Sequence, residues 1–226
     1  NDVEAIALTQ LHPDNSADLA AYLSGAIAAE RSTPLEILGP DSNQAPYIDT
    51  QTMVRRLIGP TGVYPQLADL LKPSKPLGFR LKLTNVPATG SRKWARYRSP
   101  NLRLLAVPVA HGETPAIAWR VEIDDYVVVF AGGFNNDKDI IRSFAKDADA
   151  LVASHAIAEA SRGALRDAFA LPSELGKVAA AADARMLILA QRASRTRGRE
   201  SLSRGSIENF YKGSVLFAND GECWGL

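Results

Sequence analysis

What most constrains this chain is the alternation of its second half. After Gly132-Gly133 it reads helix (137–146), strand (150–154), helix (172–182), strand (186–190), helix (202–211) and strand (214–218). Short apolar runs separated by longer segments of helical period are the pattern of an α/β layered protein, in which each strand is covered by a neighbouring helix. The first half follows the same rule more loosely. Strand patterns at 3–9 and 35–38 flank a helical stretch at 16–31, for which Asn15 or Ser16 would serve as N-cap. A helical region at 50–71 is interrupted by Gly59-Pro60, and a proline-rich linker covers 72–76. Further strands are expected at 77–83, 102–107, 117–123 and 126–131, the last two joined by the two-residue turn Asp124-Asp125.

Composition removes some functions without choosing among the rest. The 226 residues are 46% hydrophobic, enough for one sizeable core, and the chain reads as one domain over 1–226. Its 26 basic and 25 acidic residues leave a net charge of +1, so no global field argues for a nucleic acid or a membrane as partner. No apolar run reaches the roughly 18 residues of a membrane span, and no signal pattern opens the chain. The single Cys223 excludes an internal disulfide, which suits the cytoplasm and equally a periplasmic protein without bridges. Asn1 in place of methionine leads us to expect that something upstream was removed or left out.

The segment Leu8-Thr9-Gln10-Leu11-His12-Pro13-Asp14-Asn15, directly after an apolar run, resembles the metal-binding loop of the metallo-β-lactamase superfamily, His-x-His-x-Asp-His. Its first and last histidines stand here as Gln10 and Asn15. An imidazole binds a borderline cation through a nitrogen lone pair, whereas a neutral amide offers only a weak carbonyl oxygen. The likeness continues along the chain, in the order of the ribonuclease Z-like branch. Residues 34–40 resemble its strand and Gly-Pro turn, 107–111 the strand carrying a third histidine, and 127–133 the strand whose final aspartate bridges two metals. Residues 149–152 resemble an "aDlLi" strand, and 186–191 the strand delivering the last histidine.

Carried over by position, the resemblance implies a ligand set of Gln10, His12, Asp14, Asn15, His111, Gly133 and Gln191. Only His12, Asp14 and His111 keep a good donor. His12 and His111 would then serve one metal and Asp14 the other, with no bridge, because Gly133 has no side chain. A catalytic zinc usually takes three protein ligands and a water, so one site is a ligand short and the other two short. The superfamily's hydrolases use the metals to acidify water and polarise the scissile group, terms worth several kcal/mol, and no nucleophile elbow or paired-carboxylate pattern replaces them here.

Each position also has a plainer reading. His12 and His111 can be polar cleft residues or the remnant of a site for one weakly bound zinc, iron or manganese ion, and Asp14, the sole catalytic candidate, can be an N-cap. His155 reads as a strand-end histidine, and Gly132-Gly133 as a tight turn. Arg92, Trp94 and Arg96, in a segment mixing cations with aromatics, could contact RNA or an anionic ligand; a solvated hairpin is the plainer reading, as a charged loop is for Arg192, Arg195, Arg197 and Arg199. The near-zero net charge favours both plain readings.

The resemblance thus implies an α/β protein of the four-layer αββα metallo-β-lactamase type. Only one strand precedes its first metal loop where relatives have several, so upstream strands or a second chain are expected to complete the sheet. The expected role is a non-catalytic binding or regulatory homologue, as a homo-oligomer or beside an active paralogue, with a small-molecule ligand open. The rivals are a one-metal hydrolase of an ester, lactone, lactam or phosphodiester, and an RNA binder that does not cleave.

Overall fold

Two sheets of different construction carry the structure. The computed structural model describes residues 3–225, without the side chains of Trp94 and Ala95. Its internal contacts group into two compact units, Asn1–Ala88 and Thr89–Leu226.

In the first unit β1 (Ala5–Ala7), β2 (Leu35–Pro40) and β3 (Leu81–Val86) form a parallel sheet in the order β1-β2-β3. Between them run α1 (Pro13–Ser16), α2 (Leu19–Ala28), α3 (Thr50–Ile58) and a 3₁₀ segment (Pro65–Leu71). Leu23, Leu35, Ile37, Val54, Ile58, Leu70 and Phe79 are fully buried in one cluster. Spacing explains the choice: Leu19 and Leu23, like Val54 and Ile58, lie four apart and so share one helix face.

Two expectations fail in this unit. Neither Asn15 nor Ser16 caps a long helix, because Pro13 starts a separate four-residue α1 whose N-cap is His12, and α2 begins only after Asp18. The Ser16 hydroxyl donates backwards to the His12 carbonyl at 3.0 Å. The strand expected from 77 begins instead at Leu81. Gly78 sits at φ +89, and a Cβ there would lie 2.8 Å from the Arg31 carbonyl oxygen, so the chain is turning where a strand would have to be extended.

The second unit holds β4 (Trp94–Arg98), β5 (Leu102–Val109), β6 (Ala116–Ile123), β7 (Tyr126–Gly132), β8 (Ala150–Ser154), β9 (Met186–Ala190) and β10 (Ser214–Phe217). Their order is β10-β9-β8-β7-β6-β5-β4. From β4 to β7 the pairs are antiparallel, and from β7 to β10 parallel. Asp124-Asp125 makes the expected two-residue turn, with Asp124 at φ +50. The helices are α4 (Ile140–Phe144), α5 (Leu165–Ala168), α6 (Pro172–Ala181) and α7 (Glu200–Glu208).

Side chains alternate across this sheet. Val129, Ala131, Leu151, Ala153, Leu187, Leu189 and Val215 join Phe144, Leu175, Val178 and Ile207 of the helices in one buried cluster, while Val128, Ala150, Met186 and Ile188 form another. The period of two therefore assigns the helix-covered face. α4 is shorter than expected because Asp139, at φ +46, holds back its start. β4 was not foreseen as a strand; it is the solvated hairpin of the plain reading, paired with β5 and bulged at Arg96. Among the described residues no helix is long and apolar enough to cross a membrane.

Candidate functional site

In the first unit the loop after β1 carries four of the seven implied positions. Its entry is fixed by Leu8 N–H donating to the Leu38 carbonyl at 2.8 Å, which prolongs the β1–β2 ladder. Gln10 is 4% exposed, and among the described residues its Oε1 has no hydrogen-bond partner. A buried amide oxygen left unpaired costs about 1–3 kcal/mol, so the position is suited to a donor from elsewhere. His12 is half-buried with extended backbone, and its carbonyl accepts from Asn15 N–H at 2.9 Å. Asp14 is exposed in the first turn of α1 and caps nothing; it accepts from Asn15 Nδ2 at 3.1 Å. The N-cap reading of Asp14 is therefore corrected, because Pro13 moves the helix start back to His12. Asp14 and Asn15 also line a cavity of about 300 Å³ with Ile6, Leu8 and Tyr22.

The second unit brings its three positions to one end of the large sheet. His111 follows β5, Gly133 follows β7 and Gln191 follows β9; the ladder register Gly132↔Ala153 and Ala153↔Leu189 sets the ends of β7, β8 and β9 side by side. His111 is 4% exposed. Its Nδ1–H donates to the Ala168 carbonyl at 2.8 Å, and its ring meets Phe169 edge-on with centroids 5.0 Å apart. The segment around α5 is tied over this end by further bonds: Gly112 N–H and Asn135 Nδ2 both donate to the Asp167 carbonyl, at 2.6 and 2.7 Å, and Ala170 N–H donates to Phe134 at 2.6 Å.

This clamp decides what position 133 can hold. A Cβ on Gly133 would lie 2.7 Å from His111 Cε1 and 2.8 Å from Phe169 Cε1. Two rings therefore fill the volume that an aspartate at 133 would require. Beside it, Gln191 is exposed with left-handed backbone, φ +46, and its Oε1 accepts from the Ser154 hydroxyl at 2.6 Å. Its amide oxygen is already engaged. A pair of metal ions bridged at 133 does not fit these residues: one position offers no donor and no room, and another offers an amide oxygen held by a hydroxyl. Among the described residues no group of three or more His, Cys, Asp or Glu side chains is placed to hold a metal ion.

His155 forms a buried polar knot that the sequence did not disclose. It is 1% exposed, its Nε2 lies 2.8 Å from Ser203 Oγ, and its carbonyl accepts from Thr196 Oγ1 at 2.7 Å. Phe217 packs edge-on to the ring at 5.2 Å, and Nδ1 has no partner among the described residues. Burial holds the imidazole pKa below its ordinary value; Glu200 opposes the shift and Arg192 reinforces it. Ser203 and His155 have the spacing of a nucleophile and its base, but both are more than nine-tenths buried, so a substrate does not reach them. Only the strand-end position of His155 was readable in advance. Ser203, Thr196, Asn135 and Phe169 carry no motif and come from distant segments.

Of the basic positions, Arg92 is exposed before β4 and Arg96 half-buried at its bulge; the Trp94 side chain lies outside the described residues. Arg195, Arg197 and Arg199 are exposed on the loop after β9, while Arg192 pairs with Glu200 at 2.8 Å.

These two sheets and their helices are those of the metallo-β-lactamase fold. The metallo-β-lactamase fold protein YhfI from Bacillus subtilis is similar at a TM-score of 0.68 and 18% identity, over 98% of this chain and 76% of that one. The short form of human tRNase Z is similar at 0.66 and 15% identity, over 96% of this chain and 76% of the other. Zinc-bound PqqB from Methylobacterium extorquens is similar at 0.57 and 12%, over 99% and 73%. No family model and no curated protein matches the chain. The expected fold class thus holds, an α/β protein of metallo-β-lactamase type; identities this low establish fold and leave activity to the site.

Proposed function

We propose that this chain is a non-catalytic member of its fold, a binding or regulatory homologue that has lost the dinuclear metal chemistry of hydrolases built on the same scaffold. The observation that carries the reading is the filling of position 133 by His111 and Phe169. A missing ligand alone could be restored by one substitution, whereas a filled volume requires the neighbouring side chains to move as well. Gln10 supports the binding half of the proposal, because its buried and unpartnered oxygen suits a ligand N–H or O–H better than an apolar surface. The partner of such a protein would be a small-molecule ligand, a second copy or an active paralogue.

Metal analysis after purification without chelator tests this reading. We expect less than 0.1 equivalent of zinc, iron or manganese per chain and no hydrolysis of ester, lactone, lactam or phosphodiester probes. Two equivalents of metal with turnover would overturn it. One observation favours a second reading, a hydrolase with one metal ion to which His111 is a ligand. The Nδ1–H of His111 is oriented by a backbone carbonyl, as the imidazoles of metal ligands commonly are. That reading requires one equivalent of metal that disappears in His111→Ala. RNA binding through Arg92, Trp94 and Arg96 stands third, and predicts salt-sensitive binding weakened by Trp94→Ala and Arg96→Ala.

A further inference from the structure

The outer face of α3 holds a feature that the strand-end positions do not use. A concavity of about 540 Å³ is lined by Thr52, Arg55 and Arg56 of the helix and by Thr61, Gly62 and Val63 of the loop beyond it. All six belong to the first unit. Neither Arg55 nor Arg56 forms an ion pair among the described residues, and both are exposed. Val63, at 68% exposure, adds an apolar patch to the wall.

Arginines at a helix C-terminus commonly answer the unpaired carbonyls and the negative end of the dipole. Here that task is already performed by main chain. Gly59 N–H donates to the Arg55 carbonyl at 2.8 Å, Val63 N–H to that of Arg56 at 3.1 Å, and Tyr64 N–H to that of Leu57 at 2.8 Å. The fit depends on glycine: a Cβ on Gly59 would lie 2.3 Å from the Arg55 carbonyl oxygen, and one on Gly62 2.6 Å from that of Arg56. The loop is thus folded tightly back on the helix, and both arginines line the open hollow between them. At the other end of the helix the Asp49 carboxylate is occupied by Thr52 N–H, Thr52 Oγ1 and Asn85 Nδ2 at 2.9, 2.7 and 2.9 Å.

We propose that this hollow binds a small oxyanion, a phosphate or carboxylate carrying an apolar substituent. Arg55 and Arg56 would grip the anion with their planar forks, the Thr61 hydroxyl would donate to it, and Val63 would cover the substituent. The site stands whether or not the strand-end positions bind metal. The test is calorimetric titration of the full chain with phenyl phosphate, benzoate and inorganic phosphate at constant ionic strength. Expected are saturable binding of phenyl phosphate or benzoate, tighter than that of inorganic phosphate, and a loss of tenfold or more in Arg55→Gln/Arg56→Gln. The tighter of the two aromatic anions identifies the oxyanion. Arg55→Lys/Arg56→Lys, which keeps the charge and loses the fork, should fall between, and Arg195→Gln should bind as the parent does. Binding that never saturates, or that is equally strong in the Arg55→Gln/Arg56→Gln protein, overturns the proposal; binding lost in Arg195→Gln moves the site to the loop after β9.

Discussion

The ends of β7 and β9 lie in one sheet, one strand apart, and are filled differently. At Gly133 there is no side chain, and the volume one would need is taken by His111 and Phe169. At Gln191 an amide of similar reach remains, exposed and held by Ser154. Packing closes the first position to a side chain, whereas the second already carries one at the surface. Placing a metal-binding side chain should therefore be costly at one and cheap at the other.

The largest effect is expected for Gly133→Asp, whose Cβ would press on two rings: a loss of about 3 kcal/mol by denaturant unfolding, within the range for overpacking. Adding Phe169→Ala should recover part of it, so that the two substitutions are strongly non-additive. A neutral Gly133→Asp would break the contrast. Next comes Ser203→Ala, which leaves the buried His155 Nε2 without its partner and should cost about 1–3 kcal/mol in the same assay.

Stability against pH sharpens the picture further. The His155 pKa is lowered in the folded protein, chiefly by burial. Below about 6.5, the ordinary value for histidine, the unfolded chain therefore takes up a proton that the folded chain refuses. Stability is then full above that pH and falls as the pH drops toward the folded pKa. Unfolding midpoints from pH 8 to 5 should show this decline, and His155→Gln should flatten it; an equal slope in both proteins would remove His155 as its source. The smallest effect is expected for Gln191→His, about 1 kcal/mol or less, because the side chain is exposed and its replacement has similar reach.

The strands β8 and β9 were legible to the residue, because a five-residue apolar run between helical segments has no other economical use. The loop at 10–15 stood out only by its likeness to a metal-binding loop, and no periodicity told that Gln10 would be buried there. What fills Gly133 could not be read. Phe169 carries no pattern that points to a strand end far away in sequence, and it arrives there because Asn135, Gly112 and His111 hold the segment around α5 by its carbonyls. The N-cap of the first helix was misread because Pro13 fits a helix's first position better than Asn15 or Ser16 fits the one before it.

The bulge in β4 shapes one border of the seven-stranded sheet. Arg96 breaks the regular ladder of the last strand of the seven-stranded sheet, Arg98 stands exposed at its end, and Arg92 and Lys93 stand exposed just before it. Two molecules approaching along that border would bring cations against cations across a kinked hydrogen-bonding row, so runaway sheet growth is discouraged there while the opposite border, β10, stays short.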